Sequence, residues 1–468
     1  MKKLSMLIWI AFSVVPLWAQ QEMGLIFLPH LVQSATQANP AIFTDARINY
    51  ALPNAYAGYQ NSSFNLGSLL VEKDGQKQLD LEAALGKMRP SGNTARLSVA
   101  ANTFALSFRF LKKFQASFFS NTHLDAQFVY PKGLPELLWR GNGAFIGQEA
   151  EVGPKINVLG YTEYGVGLAA KMFDNVSVGL NFKYINGFLA VQTVKSQASV
   201  LTDEEYYQLS LKSDMILYTA GLTDVFDENE DDILRYQYKS FIFRTNNIGF
   251  AVDLGIHAYL TDKLEVQAAA QDLGNINWKE HVLEQHSEGE YQYAGQAIRP
   301  LGDEGKDFDL GVLRDSLSEL FEPVSKRKAF VTNLPNRYYV ATKYSLSPKL
   351  SVGASLHSEF YQYKTNWALA AHLQKQVKGF LYAGLIAGYH SQTAAFIGAN
   401  ATLQLGPLQL FAISDNLITL IDPYKGRGTN LRAGLNLVLG KKKEVKPAVV
   451  LPEVPLGEEE LKEVQKNF

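Results

Sequence analysis

The chain has 468 residues, of which 44 are Lys or Arg and 46 are Asp or Glu, so its formal net charge is −2. This balance argues against a polybasic nucleic-acid-binding protein. An aromatic content of 12% argues against a disordered chain. The absence of cysteine excludes disulfide bonds, thiolate catalysis and Cys-ligated metals. No motif in the sequence predicts a cofactor.

Residues 1–19 have the features of a secretory signal peptide in their usual order. Lys2 and Lys3 precede a short apolar stretch, and Ala19 supplies the small residue before an expected cut at Gln20. No later stretch contains 18 consecutive apolar residues, so the sequence predicts no membrane-spanning helix. The exported chain is therefore expected to be either soluble or a membrane barrel.

From about residue 156 onward, apolar and polar residues alternate with a period of two, which is typical of strands that have one apolar face. In 247–260, for example, Ile248 and Phe250 share one face, and Gly249 and Asp253 share the other. Such patterns predict fourteen strands, at 47–61, 95–110, 114–130, 155–172, 176–196, 245–260, 264–278, 337–346, 350–363, 366–376, 380–391, 395–405, 408–418 and 429–439. Pro53 weakens the first of these strands, and a change of phase between Ala101 and Phe104 predicts a bulge in the second.

Tight turns alternate with longer connections along this pattern. The long links lie at 62–94, 131–154, 197–244 and 279–336. Short turns at one end and long loops at the other are typical of an outer-membrane barrel. The sequence therefore predicts an all-β, antiparallel transmembrane barrel over 46–440, embedded in the lipid of the outer membrane of a Gram-negative bacterium. Both of its ends are expected on the periplasmic side.

Charged side chains on the predicted strands fall opposite the apolar ones, on the face that would line the lumen. A Lys or Arg on the lipid-facing side would cost roughly 2–4 kcal/mol at the membrane midplane. The lumen-lining candidates are Asp253, His257, Glu265, Lys343, His357 and Arg432. The same phase points further charges inward, at Arg96, Asp125, Glu163, Lys183, Arg337 and Glu359. The exception is Lys375, which shares the apolar phase at the turn end of its strand.

Residues 20–45 precede the first strand and are predicted to form a plug. A fourteen-stranded barrel is too wide for wall side chains alone to fill, so another segment or water must occupy the lumen. The plug candidates are Phe27, Leu28, Leu31, Asn39, Pro40 and Phe43. Asn39 before Pro40 predicts a helix that begins there. The alternative is a loose leader to the first strand.

Three segments outside the wall carry residues that bear on metal or partner binding. The acidic run 227–232 could bind calcium but lacks the spacing of a calcium loop, so solvated carboxylates are favoured and no metal site is predicted. The spacing of His281 and His286 does not favour a metal either. The proline-rich tail 441–468 is expected in the periplasm, either as a tether for a periplasmic or secretion partner or as a solvated end.

Four short motifs, taken in order, carry a family resemblance. They are Asn39-Pro40-Ala41, Gln271-Asp272-Leu273-Gly274, Ser414-Asp415-Asn416 and Asn430-Leu431-Arg432-x-Gly434-Leu435-Asn436. With them the chain resembles an uncharacterised family of outer-membrane barrels related to the FadL-like, PorV-type and PorP-type proteins of gliding and type IX-secreting bacteria. The resemblance covers nearly the whole mature chain. It departs at the last strand, which ends in Val438-Leu439-Gly440 without a terminal aromatic residue.

The resemblance implies a fourteen-stranded barrel with an N-terminal plug and brings no catalytic residues. It implies either FadL-like uptake of small or hydrophobic molecules through a plugged lumen, or an accessory role in type IX secretion or surface-protein attachment. An outer-membrane enzyme is disfavoured on the residues themselves, because the strand histidines face inward and no G-x-S-x-G motif occurs.

Overall fold

The computed structural model describes residues 23–28, 32, 34–44, 46–73, 76–90, 92–221, 246–293, 324–362, 364–422 and 424–440. Four of the sequence predictions lie outside these residues: the signal peptide, Leu31 of the plug candidates, the acidic run 227–232 and the tail.

Strands make up most of the described residues. In chain order they are β1 (Ile48–Ala51), β2 (Asn54–Asn61), β3 (Leu70–Lys73), β4 (Gln76–Leu79), β5 (Asn93–Phe110), β6 (Phe114–Tyr130), β7 (Glu149–Glu151), β8 (Lys155–Phe173), β9 (Val176–Thr202), β10 (Leu209–Ala220), β11 (Ile248–Tyr259), β12 (Leu264–Trp278), β13 (Val282–Tyr293), β14 (Val324–Lys326), β15 (Phe330–Asn333), β16 (Asn336–Ser347), β17 (Leu350–Tyr361), β18 (Lys364–Lys378), β19 (Leu381–His390), β20 (Ala394–Leu405), β21 (Leu408–Ser414) and β22 (Gly428–Leu439). The helices are α1 (Met23–Ile26), α2 (Ser34–Ala38), α3 (Leu81–Lys87), α4 (Gly133–Arg140) and α5 (Leu417–Ile421), with 3-10 turns at Leu66–Leu69 and Asn142–Phe145.

The wall is a closed antiparallel barrel of fourteen strands, which confirms the predicted fold class. Its first strand consists of β1 and β2 together, and β5, β6, β8, β9, β11, β12 and β16 to β22 follow in order. Both β1 and β2 pair with β5 on one side and with β22 on the other, so the last strand closes on the first. The end of the barrel with the short turns is called the turn end below, and the opposite end the loop end.

The two predicted irregularities are present. The first wall strand is interrupted at Leu52 and Pro53, because proline has no N–H to give to the ladder. The pairing of β5 with β6 shifts between Asn102 and Phe104, which is the predicted bulge. One predicted strand is too long: β21 ends at Ser414, and 415–418 turn into α5 instead.

The wall is apolar outside and polar inside. On β9, Leu180 and Phe182 are 47% and 50% exposed, whereas Asn181 and Lys183 between and beside them are buried. A face that presents Leu and Phe outward and Lys and Asn inward reverses the pattern of a soluble protein, and it suits a wall in contact with lipid. Lys375 is exposed at the turn end, as its phase predicted. Among the described residues, no helix has the length and hydropathy needed to cross a bilayer.

Beyond the wall, the loop end carries structure that the sequence patterns did not predict. The links 197–244 and 279–336 were expected as loops, but β9 continues to Thr202 and pairs with β10, which pairs in turn with β13. At the foot of this sheet, Trp278 and Phe330 belong to a buried apolar cluster. Trp278 also donates a hydrogen bond from Nε1 to Thr332 Oγ1 at 2.8 Å.

Candidate functional site in the barrel lumen

The described residues between 23 and 44, called the N-terminal segment below, lie against the inner face of the wall. Phe27, Leu28 and Phe43 are 5%, 0% and 7% exposed, and Asn39 is fully buried. Pro40 is buried as well. Full burial of an apolar side chain of this size stabilises by roughly 1.5–3 kcal/mol. The described side chains of the segment are therefore packed against the wall.

One face of the segment packs on an apolar strip of the wall. Met23, Ile26 and Phe27 form a buried cluster with inward-facing residues of β12, β16, β18, β19 and β20. Leu25, Leu28 and Val32 form a second cluster with two residues of β21. The wall residues in these clusters are Ala269, Tyr339, Ala341, Ala368, Ala370, Ile386, Phe396, Phe411 and Ile413. The Phe27 ring also stacks on His372.

The start of the segment is held by one carboxylate. Asp415, just beyond β21, accepts hydrogen bonds from the backbone N–H groups of Met23 and Gly24, each at 2.8 Å. Asn430 on β22 orients this carboxylate: it donates from Nδ2 to Asp415 Oδ2 at 3.0 Å and accepts from the Asp415 N–H at 2.7 Å. The motifs at 414–416 and 430–436 thus meet at the contact that fixes residues 23 and 24.

Asn39 and Pro40 form a turn, and the predicted helix start is wrong. Helix α2 ends at Ala38, and Asn39 Oδ1 accepts from the Ala41 N–H at 2.9 Å. An Asn side chain can accept a hydrogen bond from the backbone N–H two residues later and so form a turn, as well as cap the start of a helix. Asn39 Nδ2 donates to Ile256 O at 3.2 Å, which ties the turn to β11.

Two paired glycines make room for this turn. Gly179 on β9 lies opposite Gly255 on β11 in the wall. A Cβ added to Gly179 would lie 2.2 Å from Pro40 C, and one added to Gly255 would lie 2.0 Å from Asn39 Oδ1. Any side chain at either position would collide with the Asn39–Pro40 turn. The pair is called the glycine recess below.

The segment leaves the lumen at the turn end. Thr44 N–H donates to Gln115 Oε1 at 3.0 Å, and Gln115 Nε2 donates to Ile42 O at 2.8 Å. The Phe43 ring lies 5.7 Å from Arg109 Cζ and 5.4 Å from Lys171 Nζ, within the range of cation–π contact. The chain then enters β1.

A network of charges, buried except for the partly exposed Arg337, crosses the lumen. Lys183 Nζ lies 2.6 Å from Asp272 Oδ1, 3.0 Å from Asp253 Oδ2 and 3.4 Å from Glu163 Oε2. Arg337 joins this group to Glu359, with Nη1 3.1 Å from Asp272 Oδ2 and Nε 3.3 Å from Glu359 Oε2. Arg96 contacts Glu359 in turn, and its Nη2 lies 2.8 Å from Asp125 Oδ1. These eight residues are called the ionic network: Arg96, Asp125, Glu163, Lys183, Asp253, Asp272, Arg337 and Glu359.

The lumen-lining candidates fall into separate groups. Asp253 belongs to the ionic network, and His357 and Arg432 line a cavity beside it. Arg432 also donates to Asn54 Oδ1 at 2.8 Å. The other three lie together nearer the turn end: Glu265 Oε1 is 3.1 Å from Lys343 Nζ, and Glu265 Oε2 is 3.5 Å from Nε2 of a buried histidine, His257.

The alternation of apolar and polar residues did not predict that Asp272 faces the lumen and joins the ionic network. Asp272 has a φ of +59°, and the pairing of β12 with β11 shifts opposite it, between Val252 and Leu254. This bulge turns Asp272 inward, out of the phase of its strand. Aspartate tolerates the left-handed region better than most residues. The Gln271-Asp272-Leu273-Gly274 motif was therefore the available signal, because it marks a break in an otherwise regular strand.

A cavity of about 130 Å³ lies between the N-terminal segment and the ionic network. Ile26 and Gln37 of the segment line one side, and Arg96, Glu163 and other network residues line another. The lumen beside the segment is therefore polar and charged, whereas the strip that the segment covers is apolar.

The comparisons with known proteins give a family and a set of distant structural likenesses. No curated protein matches the sequence. The toluene transporter TbuX of Ralstonia pickettii is 7% identical, with a TM-score of 0.45 over 88% of this chain and 94% of that chain. A FadL homologue of Pseudomonas aeruginosa is 13% identical (TM-score 0.44, over 92% and 99%), and the toluene transporter TodX of Pseudomonas putida is 7% identical (TM-score 0.42, over 90% and 99%). Residues 40–415 match the model of a family of unknown function. The chain belongs to this family, DUF5723.

Proposed function

We propose that the protein is a gated channel of the Gram-negative outer membrane, in which the N-terminal segment is the gate. The proposal rests on one observation: a segment that is not part of the wall is packed inside the lumen, against the Asp415 carboxylate at one end and the glycine recess at the other. It adds no strand to the barrel. The segment can therefore leave without breaking the ladder that closes the wall.

The solute that we propose is a small hydrophobic or amphipathic molecule. Departure of the segment would uncover the apolar strip that now packs on residues such as Met23 and Phe27. That strip faces the charged side of the lumen, which would suit a molecule with one apolar and one polar part. An accessory role in type IX secretion or surface attachment, with a partner bound through 441–468, stays a prediction from the family resemblance.

A reversible cross-link tests whether the segment is the gate. The chain has no cysteine, so Gly24→Cys with Ile413→Cys introduces a single pair. A Cβ at Gly24 would lie 2.7 Å from Ile413 Cγ2, close enough for a disulfide after a small adjustment. In liposomes, we expect fewer openings and slower solute passage when the pair is oxidised, and recovery after reduction. Each single-cysteine variant is the control.

Substitution of the glycine recess tests the same proposal in the opposite direction. The full chain with Gly179→Leu and Gly255→Leu, called the displacement variant below, has no room for the Asn39–Pro40 turn. We expect its ion conductance in planar bilayers to exceed that of the unmodified chain. Gly289→Leu is the control, because a Cβ at Gly289 meets nothing within 4 Å. A displacement variant that folds into a barrel but conducts no more than the control contradicts the gate.

A further inference from the structure

The contact between Arg96 and Glu359 joins two opposite sides of the barrel. Arg96 lies on β5 and Glu359 on β17. In a wall of fourteen strands, β17 is seven strands away from β5 in either direction, which is the largest possible separation. Arg96 Nη2 is nevertheless 3.4 Å from Glu359 Oε2, and its Cζ lies 5.3 Å from the ring of Tyr361, also on β17. The bridge therefore spans the lumen directly.

The other network residues link the same two strands along one side of the wall. Each of the eight consecutive strands from β5 to β17 supplies one member of the ionic network. Arg96 and Glu359 are 6% and 1% exposed, so the bridge is shielded from solvent and from screening by salt. At the height of Arg96 and Glu359, the bridge divides the lumen into two parts. One part is lined by the strands from β5 to β17, which carry the ionic network, and the other by β18 to β22 with β1 and β2.

The pairs that hold the network together are independent of the N-terminal segment. Every ion pair of Arg96, Lys183 and Arg337 that is given above is made to a carboxylate on a wall strand. Departure of the segment would remove none of these pairs. The bridge would then remain across the lumen of an ungated barrel.

We propose that the Arg96–Glu359 bridge sets the size limit of the channel, as a second barrier in series with the N-terminal segment. This inference rests on the proposed channel function. Once the segment has left, water and small ions pass beside the bridge, through the space that now holds the cavity. A bulkier solute must break the bridge or deform the wall. Passage of large solutes is therefore limited by Arg96 and Glu359 and not by the gate.

The test uses the displacement variant, with ions and an uncharged tetrasaccharide as probes. With the bridge intact, we expect ion conductance with little tetrasaccharide passage. Glu359→Ala should raise tetrasaccharide passage in swelling assays by roughly tenfold or more, which corresponds to at least about 1.4 kcal/mol off the barrier. This substitution leaves Arg96 paired with Asp125 and Arg337 paired with Asp272, so the cations keep partners.

The matched control is Glu284→Ala, which removes a buried carboxylate that pairs with two cations, Lys326 and Lys328, in the sheet beyond the loop end. It should leave tetrasaccharide passage unchanged. Arg96→Gln is the second variant, and heat-dependent gel mobility shows which variants form barrels. If tetrasaccharide passes equally well with and without these bridge substitutions, the size limit is contradicted. A displacement variant that conducts no ions contradicts the gate instead, and a rise on Glu359→Ala in that background still supports the bridge.

Discussion

Among the described residues, two regions that differ in origin and in chemistry lie inside the wall of the barrel. The ionic network is built from wall side chains that pair with one another, each fixed on a strand of the barrel. The N-terminal segment precedes the wall in the chain and is held by apolar packing, by the Asp415 carboxylate and by the glycine recess. The first region belongs to the wall strands, whereas the second contributes no strand to the barrel.

This difference predicts how the wall and the proposed gate respond to substitution. A buried charge without its partner is expensive, so the network resists piecemeal opening. Apolar packing and backbone hydrogen bonds can be exchanged for contacts with a ligand at a small net cost. The following substitutions therefore ought to separate the two regions, because those in the network affect the whole barrel and those in the segment affect the gate.

Lys183→Met should have the largest effect. Lys183 is the cation shared by Asp253, Asp272 and Glu163, and its loss leaves these carboxylates crowded together. Removal of one partner of a buried pair typically costs about 3–5 kcal/mol. We expect a fall of this size in the free energy of unfolding, measured with urea in detergent. Lys343→Met is the control and should cost less, because Lys343 is more exposed and, among the described residues, pairs with one carboxylate, Glu265. Equal losses would contradict the central position of Lys183.

Phe27→Ala should act on the gate and spare the wall. Phe27 fills the space between His372 and the cluster around Ile26, and Phe→Ala substitutions in packed sites cost about 3–5 kcal/mol. Here that cost falls on docking of the segment, so we expect more frequent channel openings and faster proteolysis before β1. The urea midpoint of the barrel should change little. Phe27→Leu keeps most of the apolar volume and is the control. A barrel destabilised as strongly as by Lys183→Met would contradict the distinction between the two regions.

Asp415→Asn should loosen the start of the segment only. The carboxylate accepts from Met23 N–H, Gly24 N–H and Asn430 Nδ2, and an amide nitrogen cannot accept any of these. Hydrogen bonds to a charged group contribute about 1.5–3 kcal/mol. We expect the opening frequency to rise, but less than in Phe27→Ala. Asp422→Asn, just after α5, is the matched control, because its carboxylate pairs with the exposed Lys425. An unchanged opening frequency in Asp415→Asn would show that this carboxylate does not hold the segment.

The strands of the wall could be predicted from the sequence, whereas several backbone conformations inside the lumen could not. The difference has a physical reason. Contact with lipid imposes a strict period of two on a wall strand. The sequence alone therefore indicates that Leu180 faces outward and Lys183 faces the lumen. Asp272 breaks that period because its bulge inverts the phase. The Asn39 turn was taken for a helix start, because the same side chain serves both structures. In both cases, the local backbone conformation depends on contacts with residues that are far away in the sequence.

The strands outside the wall were missed because no lipid contact imposes an alternation on them. In β10, Leu211 and Lys212 are followed by Ser213 and Asp214, and neither face is uniformly apolar. Long links between wall strands were therefore expected to be loops. Their pairing depends instead on the extension of β9, which carries the ladder beyond the barrel.

Asp214→Asn should have the smallest effect, confined to the sheet beyond the loop end. A hydrogen bond from Lys195 lowers the pKa of Asp214, and His286 lowers it further. A carboxylate whose pKa is lower in the folded than in the unfolded chain stabilises the folded sheet above the pKa of the unfolded chain. This contribution is lost as the pH falls through the pKa of the folded chain. We expect the protection factors of the β10 amides against hydrogen exchange to fall on acidification in the unmodified chain, and this acid response to be weaker in Asp214→Asn. Because the pair is partly exposed and lies beyond the wall, channel opening and the urea midpoint should be unchanged. A change in either would mean that this outer sheet is coupled to the gate or to the wall, and the division of the molecule into independent regions would then fail.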